Sequence, residues 1–393
     1  MTSTYPAHAG DGTPAFVRDL AREESKTFDV MVLAPRVAGA PSHELDGAIE
    51  TVRYGYFPRR WERLADGAII ENLRARRSNW LQVVPFLVSQ WSAMRRARRR
   101  FSPDVVHVHW IIPQGVVADL ALRGVPRLIT TLGGDLYALN GAVLRRLKAA
   151  VVTRASEITV MNDEMRRMVI ELGARPERVQ VMPMGVDTSM IVRKTGESQP
   201  ADSNPSLQQQ VKLLFVGRLV EKKGLAVLIE ALEGLSEKTS ENVRLKVVGD
   251  GPLRGELARA AENLRVPVDF VGQLGRAQLA SAYQGADIVV TPSVPASSGD
   301  KDGLPVAMLE AMTMGLPVIA SDVPGINEVV VDDVSGVLVP PGDVQRLSFA
   351  IERLVNDDAR RERLGTGAAR ASEGFFSDCG RRTLCSVAAR DPR

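Results

Sequence analysis

The chain has 393 residues, and its 45% hydrophobic and 25% charged content excludes a disordered or fibrous protein. This length predicts two domains rather than one hydrophobic core. The two cysteines, Cys379 and Cys385, cannot staple a fold of this size, so a reducing compartment, the cytoplasm, is expected. The four histidines have no spacing typical of a metal site, and we expect neither a metal nor another bound cofactor.

The first half of the chain alternates short apolar runs with helical patterns. Such alternation predicts βαβ units built on a parallel sheet. The predicted strands are Phe28–Ala34, Val105–Trp110, Arg127–Thr131 and Ile158–Met161, and the predicted helices include Phe16–Glu24 and Val116–Leu122.

One segment of the first half is strongly basic. Between Arg53 and Arg100 the chain carries 12 arginines and three acidic residues, an excess of +9 in a chain of formal net charge +3. Apolar residues at helical spacing lie within it: Trp80, Val84, Leu87, Trp91 and Met94. This pattern predicts docking on an anionic membrane surface, at the inner face of the membrane, or on a polyanionic acceptor, and no nucleic-acid partner is expected. The alternative is a domain helix that buries the stripe, and Pro85 argues against one straight helix.

The second half repeats the alternation after a linker. Residues 191–210 are rich in Ser, Pro and Gln without an apolar period, which predicts the linker. We therefore predict Rossmann-like domains over residues 1–190 and 211–375, and a tail over 376–393 that returns to the first domain. Two doubly wound domains facing each other place a ligand in the cleft between them. The strands predicted in the second domain are Val211–Val216, Val243–Val248, Val268–Val271, Ile288–Thr291 and Pro317–Ala320.

The sequence Asp302-Gly-Leu-Pro-Val-Ala-Met-Leu-Glu310 places two carboxylates around the start of a predicted helix. Gly303 allows close approach of the backbone, and Pro305 suits the first helical position. The free amides of such a helix start favour an anion. Glu310 is placed to accept hydrogen bonds from a ribose diol, and Asp302 is placed to hold a sugar hydroxyl. The alternative is a capped helix with a solvated acid at each end.

Two further turns follow predicted strands. Gly217-Arg-Leu-Val-Glu-Lys-Lys-Gly224 places Arg218 and Lys223 at the carboxyl end of a strand, where two cations suit a diphosphate. The alternative is a surface pair with Glu221. The run Val248-Gly-Asp-Gly-Pro252 imitates a dinucleotide-binding fingerprint with its spacing wrong by one residue, so we interpret it as a tight turn that lines a base pocket.

These motifs, in this order and followed by Gly336-Val-Leu-Val-Pro-Pro-Gly-Asp343, resemble the signature of glycosyltransferase family 4, whose members have the GT-B fold. The likeness covers nearly the whole chain and is weakest over Arg53–Arg100 and the C-terminal tail. The chain is therefore expected to be an α/β protein of GT-B type, with two Rossmann-like domains. The first half agrees through its own ordered motifs: Tyr5-Pro6, Gly10–Gly12, Phe16–Leu20, His107–Trp110, Gly133–Asp135 and Met184–Asp187.

The resemblance implies a retaining, metal-independent hexosyltransferase that uses a nucleotide-sugar, UDP- or GDP-linked, as its co-substrate. The acceptor it implies is a hydroxyl of a glycan, a glycolipid or another cell-envelope intermediate. It implies catalytic roles for Arg218 and Lys223 at the donor diphosphate, for Glu310 at the ribose and for Asp302 at the sugar. The other implied donor-binding residues bring the backbone close to the donor: Gly12, Gly217, Gly249, Gly251, Gly303, Leu304 and Pro305.

The chain departs from the family pattern at several positions. Asp302 replaces the commoner Glu, which shortens the reach of the carboxylate. Leu132 stands where many relatives have a His that lines the donor sugar, which leaves Asp135 as a substitute donor contact. His107 and His109 lie on a predicted strand and are interpreted as structural. Almost no apolar run precedes Tyr5-Pro6, so either the start is truncated or the first sheet is completed in another way.

Other functions on the same fold stay open. An epimerase would release free sugar without an acceptor, and a phosphorylase would need a cofactor-lysine site, which the sequence does not show. A degenerate GT-B protein that only binds nucleotide-sugars is suggested by Leu132 and by the short start. Turnover of the donor separates these classes.

Overall fold

The computed structural model describes residues 1–7, 16–66, 69, 72–73, 76–137, 141–182 and 210–373. These residues form two compact units, one up to residue 182 and the other from residue 210 onward. The predicted tail and all but the last residue of the predicted linker lie outside the described residues. Within them, no helix combines the length and the apolar character that crossing a membrane requires.

The first unit contains two sheets. In one sheet β1 is parallel to β3 and β3 is antiparallel to β2, while the other sheet is parallel throughout in the order β4-β5-β6-β7. All four strands predicted here are present, with their ends shifted by at most two residues, whereas β2, β3 and β7 were not predicted. The strands are β1 (Val30–Pro35), β2 (His43–Asp46), β3 (Ile49–Tyr54), β4 (Val106–His109), β5 (Arg127–Thr130), β6 (Glu157–Val160) and β7 (Val179–Val181).

The helices of the first unit surround these sheets. Before α2, a 3₁₀ turn over Arg77–Gln82 contains Trp80, the first of the apolar residues with helical spacing, so α2 begins after it. Pro85 is the third residue of α2, where a helix leaves its N–H groups without internal partners, so Pro85 does not interrupt the helix. The described helices are α1 (Phe16–Glu24), α2 (Val83–Phe101), α3 (Val116–Ala121), α4 (Gly134–Tyr137), α5 (Ala142–Arg154) and α6 (Asp163–Glu171).

The second unit is a doubly wound α/β domain. Its sheet is parallel, in the order β10-β9-β8-β11-β12-β13, so the chain moves outward from β8 to β10 and then returns to the other side of β8. This reversal creates a switch point between β8 and β11. The strands are β8 (Val211–Val216), β9 (Val243–Val248), β10 (Val268–Gly272), β11 (Ile288–Thr291), β12 (Val318–Ser321) and β13 (Val337–Val339).

Helices cover both faces of this sheet. Leu213 and Phe215 of β8 pack on one face with Leu228 and Ile351, whereas Leu214 packs on the other face with Met308. This alternation follows from the two-residue period of a strand, and it explains why the strands read as continuous apolar runs. The helices are α7 (Leu225–Glu233), α8 (Glu237–Glu241), α9 (Arg254–Ala261), α10 (Arg276–Gln284), α11 (Val306–Thr313), α12 (Val344–Val355) and α13 (Asp358–Ser372).

Candidate functional site

The candidate site lies at the carboxyl ends of β8, β9 and β11, beside the switch point of the second sheet. The loop after β8 carries Arg218 and Lys223, and the loop after β11 leads through Asp302 into helix α11. Because β8 pairs with both β9 and β11, the loops that follow these three strands are neighbours. Ligands of open α/β sheets bind at this position.

Backbone contacts join these loops at positions where only glycine fits. Gly249 has φ +135°, and a Cβ placed there would overlap the carbonyl oxygen of Gly217. Gly224 has φ +68°, and its Cβ would overlap the carbonyl oxygen of Pro292 at the end of β11. Side chains at either glycine would push the loops apart. The predicted glycine turns therefore hold the loop after β8 against both of its neighbours.

An ion pair joins two of the predicted catalytic residues. The Lys223 ammonium lies 2.8 Å from Oδ2 of Asp302, and the Ser293 hydroxyl donates a hydrogen bond of 2.9 Å to the same oxygen. Burial raises the pKa of Asp302, but Lys223, Lys222 and the hydrogen bonds outweigh it and lower the pKa below its usual value. Asp302 is therefore a charged carboxylate that two lysines hold in the loop before α11.

The charged residues next to Lys223 contact the loop after β11. Glu221 accepts hydrogen bonds of 2.8 Å from both the backbone and the hydroxyl of Ser297. Lys222 lies 3.0 Å from Asp300, on the loop after β11. The loop after β8 is thus tied to the loop after β11 by its charged residues, and Lys223 pairs with Asp302 rather than with Glu221.

Glu310 lies in the second turn of α11, as expected for the second acid. Its Oε2 accepts a hydrogen bond of 2.8 Å from the hydroxyl of Tyr283, which is fully buried and also donates to the carbonyl of Ala307. Burial raises the pKa of Tyr283 well above its usual value, and Glu310 raises it further, so the hydroxyl keeps its proton. Pro305 was predicted at the first helical position, but it is the N-cap of α11, which begins at Val306.

Of the remaining predicted donor-binding residues, those of the second unit lie in the site loops, whereas Gly12 is not described. Gly251 lies in the turn after β9, where a Cβ would overlap the carbonyl oxygen of Leu219, and Gly303 and Leu304 connect Asp302 to α11. Gly12 lies outside the described residues. The structure thus brings the predicted residues of the second unit together around one set of loops.

Asp135, predicted as a donor contact, is buried in its own loop. It is 2% exposed, and its two carboxylate oxygens accept hydrogen bonds from the Thr131 hydroxyl and the Ile111 backbone. Burial raises its pKa, and these hydrogen bonds partly oppose the rise. Asp135 therefore holds its own loop together, and its role as a donor contact in place of the histidine missing at Leu132 stays a prediction.

The histidines of β4 are also buried. His107 bonds through its ring nitrogens to Glu24 and to Thr130, each at 2.7 Å. His109 stacks on His107, and burial lowers its pKa well below the usual value. Both rings are buried and contact other residues of the first unit, which agrees with their interpretation as structural residues.

Sequence reasoning missed the residues that position the two acids. Tyr283 and Ser293 contact Glu310 and Asp302, but they come from α10 and from the loop after β11. No local pattern marks them, because their roles depend on the packing of separate elements. No group of three or more His, Cys, Asp or Glu side chains suited to a metal occurs in the part of the chain that the structure covers.

Two family models match the chain. The model described as Glycosyltransferase Family 4 matches residues 10–190, and the model described as Glycosyl transferases group 1 matches residues 199–371. D-inositol 3-phosphate glycosyltransferase of Xylanimonas cellulosilytica is 32% identical over 312 residues, which make up 73% of this chain and 72% of that protein. The amylovoran biosynthesis glycosyltransferase AmsK of Erwinia amylovora is 35% identical over 193 residues, 49% of this chain and only 45% of AmsK.

Solved structures share the fold. Sucrose-phosphate synthase from Thermosynechococcus elongatus has a TM-score of 0.72 at 20% identity, covering 95% of this chain and 92% of its own. HepE from Anabaena, solved in complex with UDP-glucose, has a TM-score of 0.69 at 19% identity and covers 95% of both chains. Both proteins have the GT-B fold, so the predicted fold class is confirmed.

Proposed function

Because the chain belongs to glycosyltransferase family 4, as its motifs indicated, we propose that it moves a sugar from a nucleoside-diphosphate sugar to an acceptor hydroxyl, with retention and without a metal. The observation that carries the proposal is the Lys223–Asp302 pair at the switch point of the second sheet. A donor of this class offers a diphosphate to the ammonium and sugar hydroxyls to the carboxylate. Each member of the pair thus has a matching group on one ligand.

In the proposed transfer reaction, negative charge develops next to the cations of the loop after β8. As the bond between the sugar and the diphosphate breaks, its electron pair goes to the diphosphate oxygen, and Lys223 and Arg218 stabilise the charge that develops. The first N–H groups of α11 face the same region and favour an anion. The acceptor oxygen then bonds to the sugar on the face that the diphosphate leaves, and the acceptor proton passes to the diphosphate. In this scheme the cations of the chain take the role that a metal has in other transferases.

The comparisons support the choice of donor and acceptor. HepE was solved with UDP-glucose, which supports a nucleoside-diphosphate sugar as the donor of this chain, either UDP- or GDP-linked. AmsK is named for amylovoran biosynthesis, which supports a growing polysaccharide of the cell envelope as the acceptor. The alternatives of an epimerase and of a protein that only binds nucleotide-sugars have no such support.

A test of this function compares Lys223→Ala with Lys238→Ala, an exposed lysine on α8 of the same unit. Thermal-shift screening first identifies the nucleotide, since a specific ligand raises the melting temperature. Release of nucleoside diphosphate from the matching donor is then measured. We expect Lys223→Ala to lose roughly 30- to 1000-fold in turnover, which corresponds to about 2–4 kcal/mol, and Lys238→Ala to match the wild type.

Two outcomes contradict the proposal. Wild-type kinetics in a folded Lys223→Ala variant would show that the lysine does not take part in transfer. Activity that EDTA abolishes and that an added divalent metal restores would show that the cations of the chain do not suffice.

We also propose that the first unit docks on an anionic membrane, where a lipid-linked acceptor resides. The N-terminal part of α2 and the turn before it carry an exposed apolar strip, in which Trp80 is 61% exposed, whereas Met94 of the predicted stripe is 1% exposed. The stripe is therefore divided, because part of it faces the core and part faces solvent. The exposed residues, which we call the apolar strip, are Trp80, Leu81, Val84, Val88 and Trp91.

Arginines continue the apolar strip along the same helix. Arg95 and Arg99 follow Trp91 at intervals of four residues, so they lie on the same face, and both are exposed. The Arg95 guanidinium lies over the Trp91 ring, 5.6 Å from its centroid. An apolar strip that passes into cationic residues suits the boundary between acyl chains and anionic headgroups, and each basic residue there contributes about 1 kcal/mol.

Vesicle co-sedimentation tests the docking surface. We expect binding to vesicles that contain phosphatidylglycerol and not to pure phosphatidylcholine, with loss at 1 M salt, where the Debye length falls to about 3 Å. Val84→Glu should abolish binding, whereas Val143→Glu, equally exposed on α5, should not. Recovery in the supernatant under all conditions would leave the strip as a solvated surface and would make a soluble acceptor the better proposal.

A further inference from the structure

A second lysine lies beside the pair of Lys223 and Asp302. The Lys222 ammonium is 3.0 Å from Oδ2 of Asp300 and 3.9 Å from Oδ1 of Asp302. Lys223 contacts the other oxygen of Asp302, Oδ2, at 2.8 Å. The two lysines therefore approach different oxygens of one carboxylate, and Lys222 is shared between two acids.

The main chains that carry Lys222 and Asp302 are fixed to each other. The N–H of Val294 donates a hydrogen bond of 2.9 Å to the carbonyl of Lys222. The backbone and hydroxyl of Ser297 bind the carboxylate of Glu221 on the same two loops. Since the loops are already joined, Lys222 can change partners by rotation of its side chain alone. Its flexible stem and its three N–H donors suit such a change.

The two acids differ in how strongly they depend on a cation. The side chain of Asp302 is 8% exposed, whereas that of Asp300 is 27% exposed. A nearly buried carboxylate is costly to leave charged without a partner, while water can solvate a partly exposed one. Asp302 therefore needs Lys222 more than Asp300 does once Lys223 is engaged elsewhere.

Binding of a diphosphate would create this need. The proposed donor binds the Lys223 ammonium, which then no longer neutralises Asp302. The Ser293 hydroxyl, which donates to Oδ2 of Asp302, is neutral, and Asp300 on the same loop has the same charge as Asp302. Lys222, on the loop after β8, supplies a cation that can replace Lys223.

We propose that Lys222 is a positioning residue, which takes over Asp302 when a nucleoside diphosphate engages Lys223. Lys222 then holds Oδ1 of Asp302, and Oδ2 is left to accept a hydrogen bond from the sugar. This inference rests on the proposed function, because it assumes that the diphosphate of the donor binds Lys223.

The exchange of partners has a measurable consequence for protons. The pKa of Asp302 lies below its usual value, because the two lysines and the hydrogen bonds outweigh burial. If methionine replaces Lys222, a diphosphate on Lys223 leaves the carboxylate buried without either lysine, and its pKa rises. Binding then takes up a proton, so the affinity for the diphosphate falls as the pH rises. With Lys222 in place the carboxylate stays charged, and this loss is smaller.

The test measures the affinity for UDP or GDP, whichever thermal-shift screening selects, by titration calorimetry. Between about pH 5 and about pH 8, we expect the affinity of Lys222→Met to fall about ten-fold more than that of the wild type. The terminal phosphate of the ligand titrates in both proteins, so the difference between them reports on the chain. Lys222→Arg should restore the wild-type dependence, because the guanidinium keeps the charge. Lys238→Met, at the exposed lysine of α8, should match the wild type.

Two variants at Asp300 separate this role from a structural one. Asp300→Asn removes the partner that Lys222 has in the structure but leaves the lysine available to Asp302, so the pH dependence should match the wild type. The double variant Lys222→Met/Asp300→Asn should keep the pH dependence of Lys222→Met, although no unpaired charge is left at position 300.

Three results would overturn the proposal. They are a wild-type pH dependence in Lys222→Met, a dependence in Lys222→Arg like that of Lys222→Met, and a return to the wild-type dependence in the double variant. The last of these would assign the effect to the unpaired charge of Asp300. Failure of the proposed function gives a different result, because Lys223→Ala would then bind the nucleoside diphosphate as tightly as the wild type, whatever happens at Lys222.

Discussion

Replacing Asp302 by asparagine should destabilise the second unit by about 2 kcal/mol. The substitution keeps the size of the side chain but removes the charge that faces Lys223 at 2.8 Å. The side chains of Asp302 and Lys223 are 8% and 20% exposed, so their interaction lies between that of a surface pair, up to about 1 kcal/mol, and that of a broken buried pair, about 3–5 kcal/mol. In a unit of this size, the melting temperature should fall by roughly 4–8 °C.

The pH dependence of this loss has a defined sign. Burial raises the pKa of Asp302, but Lys223 and Lys222 lower it overall. A carboxylate whose folded-state pKa is lowered stabilises the fold above its unfolded value, near 3.9, and loses this contribution as the pH falls through the folded value. The difference between wild type and Asp302→Asn should therefore be complete at neutral pH and shrink below about pH 4.

Thermal unfolding and nucleotide binding together test the reasoning. Transfer should fall about 30-fold or more in Asp302→Asn, because the substitution removes the carboxylate that we propose accepts a hydrogen bond from a sugar hydroxyl. Affinity for the nucleoside diphosphate should not fall, because Lys223 loses its competing partner. Asp300→Asn, which affects only the outer pair with Lys222, is the matched control and should change stability less. A variant as stable as the wild type at neutral pH, or a loss of nucleotide affinity in parallel with transfer, would refute the argument.

Three further predictions follow from the same loops. Tyr283→Phe should lower stability by about 1–2 kcal/mol and raise the KM for the donor several-fold with little change in kcat, because the hydroxyl positions Glu310. An unchanged KM would show that Tyr283 does not act through Glu310. Gly249→Ala should destabilise the second unit by about 3 kcal/mol or more, measured by chemical denaturation, since φ is +135° and the Cβ would overlap a carbonyl. The control Gly255→Ala, in α9 with open space around it, should leave the stability unchanged or raise it. Proton NMR of the first-formed product should show the anomeric configuration of the donor, and an inverted anomer would contradict the proposed mechanism.

The strands were predictable where local pattern and burial agree. Val211–Val216 and Val243–Val248 match β8 and β9 at both ends, because both faces of the sheet are covered and a turn follows each strand. The hairpin of β2 and β3 was missed because His43–Asp46 is an edge strand with exposed and half-exposed residues and no apolar run. Sequence periodicity reports burial, and an edge strand that is not buried leaves no such signal.

The candidate site was predictable only in part, for a similar reason. Lys223, Asp302 and Glu310 stand in motifs that mark strand and helix ends, and the structure places Lys223 in the loop after β8, Asp302 in the loop before α11 and Glu310 in the second turn of α11. The partner of each residue, however, comes from another element. Ser293 and Tyr283 are selected by packing between loops and helices, and the sequence near the motif does not contain them.

The sequence motifs indicated separate roles for Lys223, at the diphosphate, and for Asp302, at the sugar. In the structure the two side chains form an ion pair, so each role depends on the other residue. In the described site each charge is satisfied by the other, so the pair keeps two ionised side chains in place without a ligand. A diphosphate that binds the ammonium must compete with Asp302, and the carboxylate then needs a new donor of hydrogen bonds. A hydroxyl of the sugar that is attached to the same diphosphate is such a donor. Under the proposed function, the pair therefore favours a ligand that carries both groups at once.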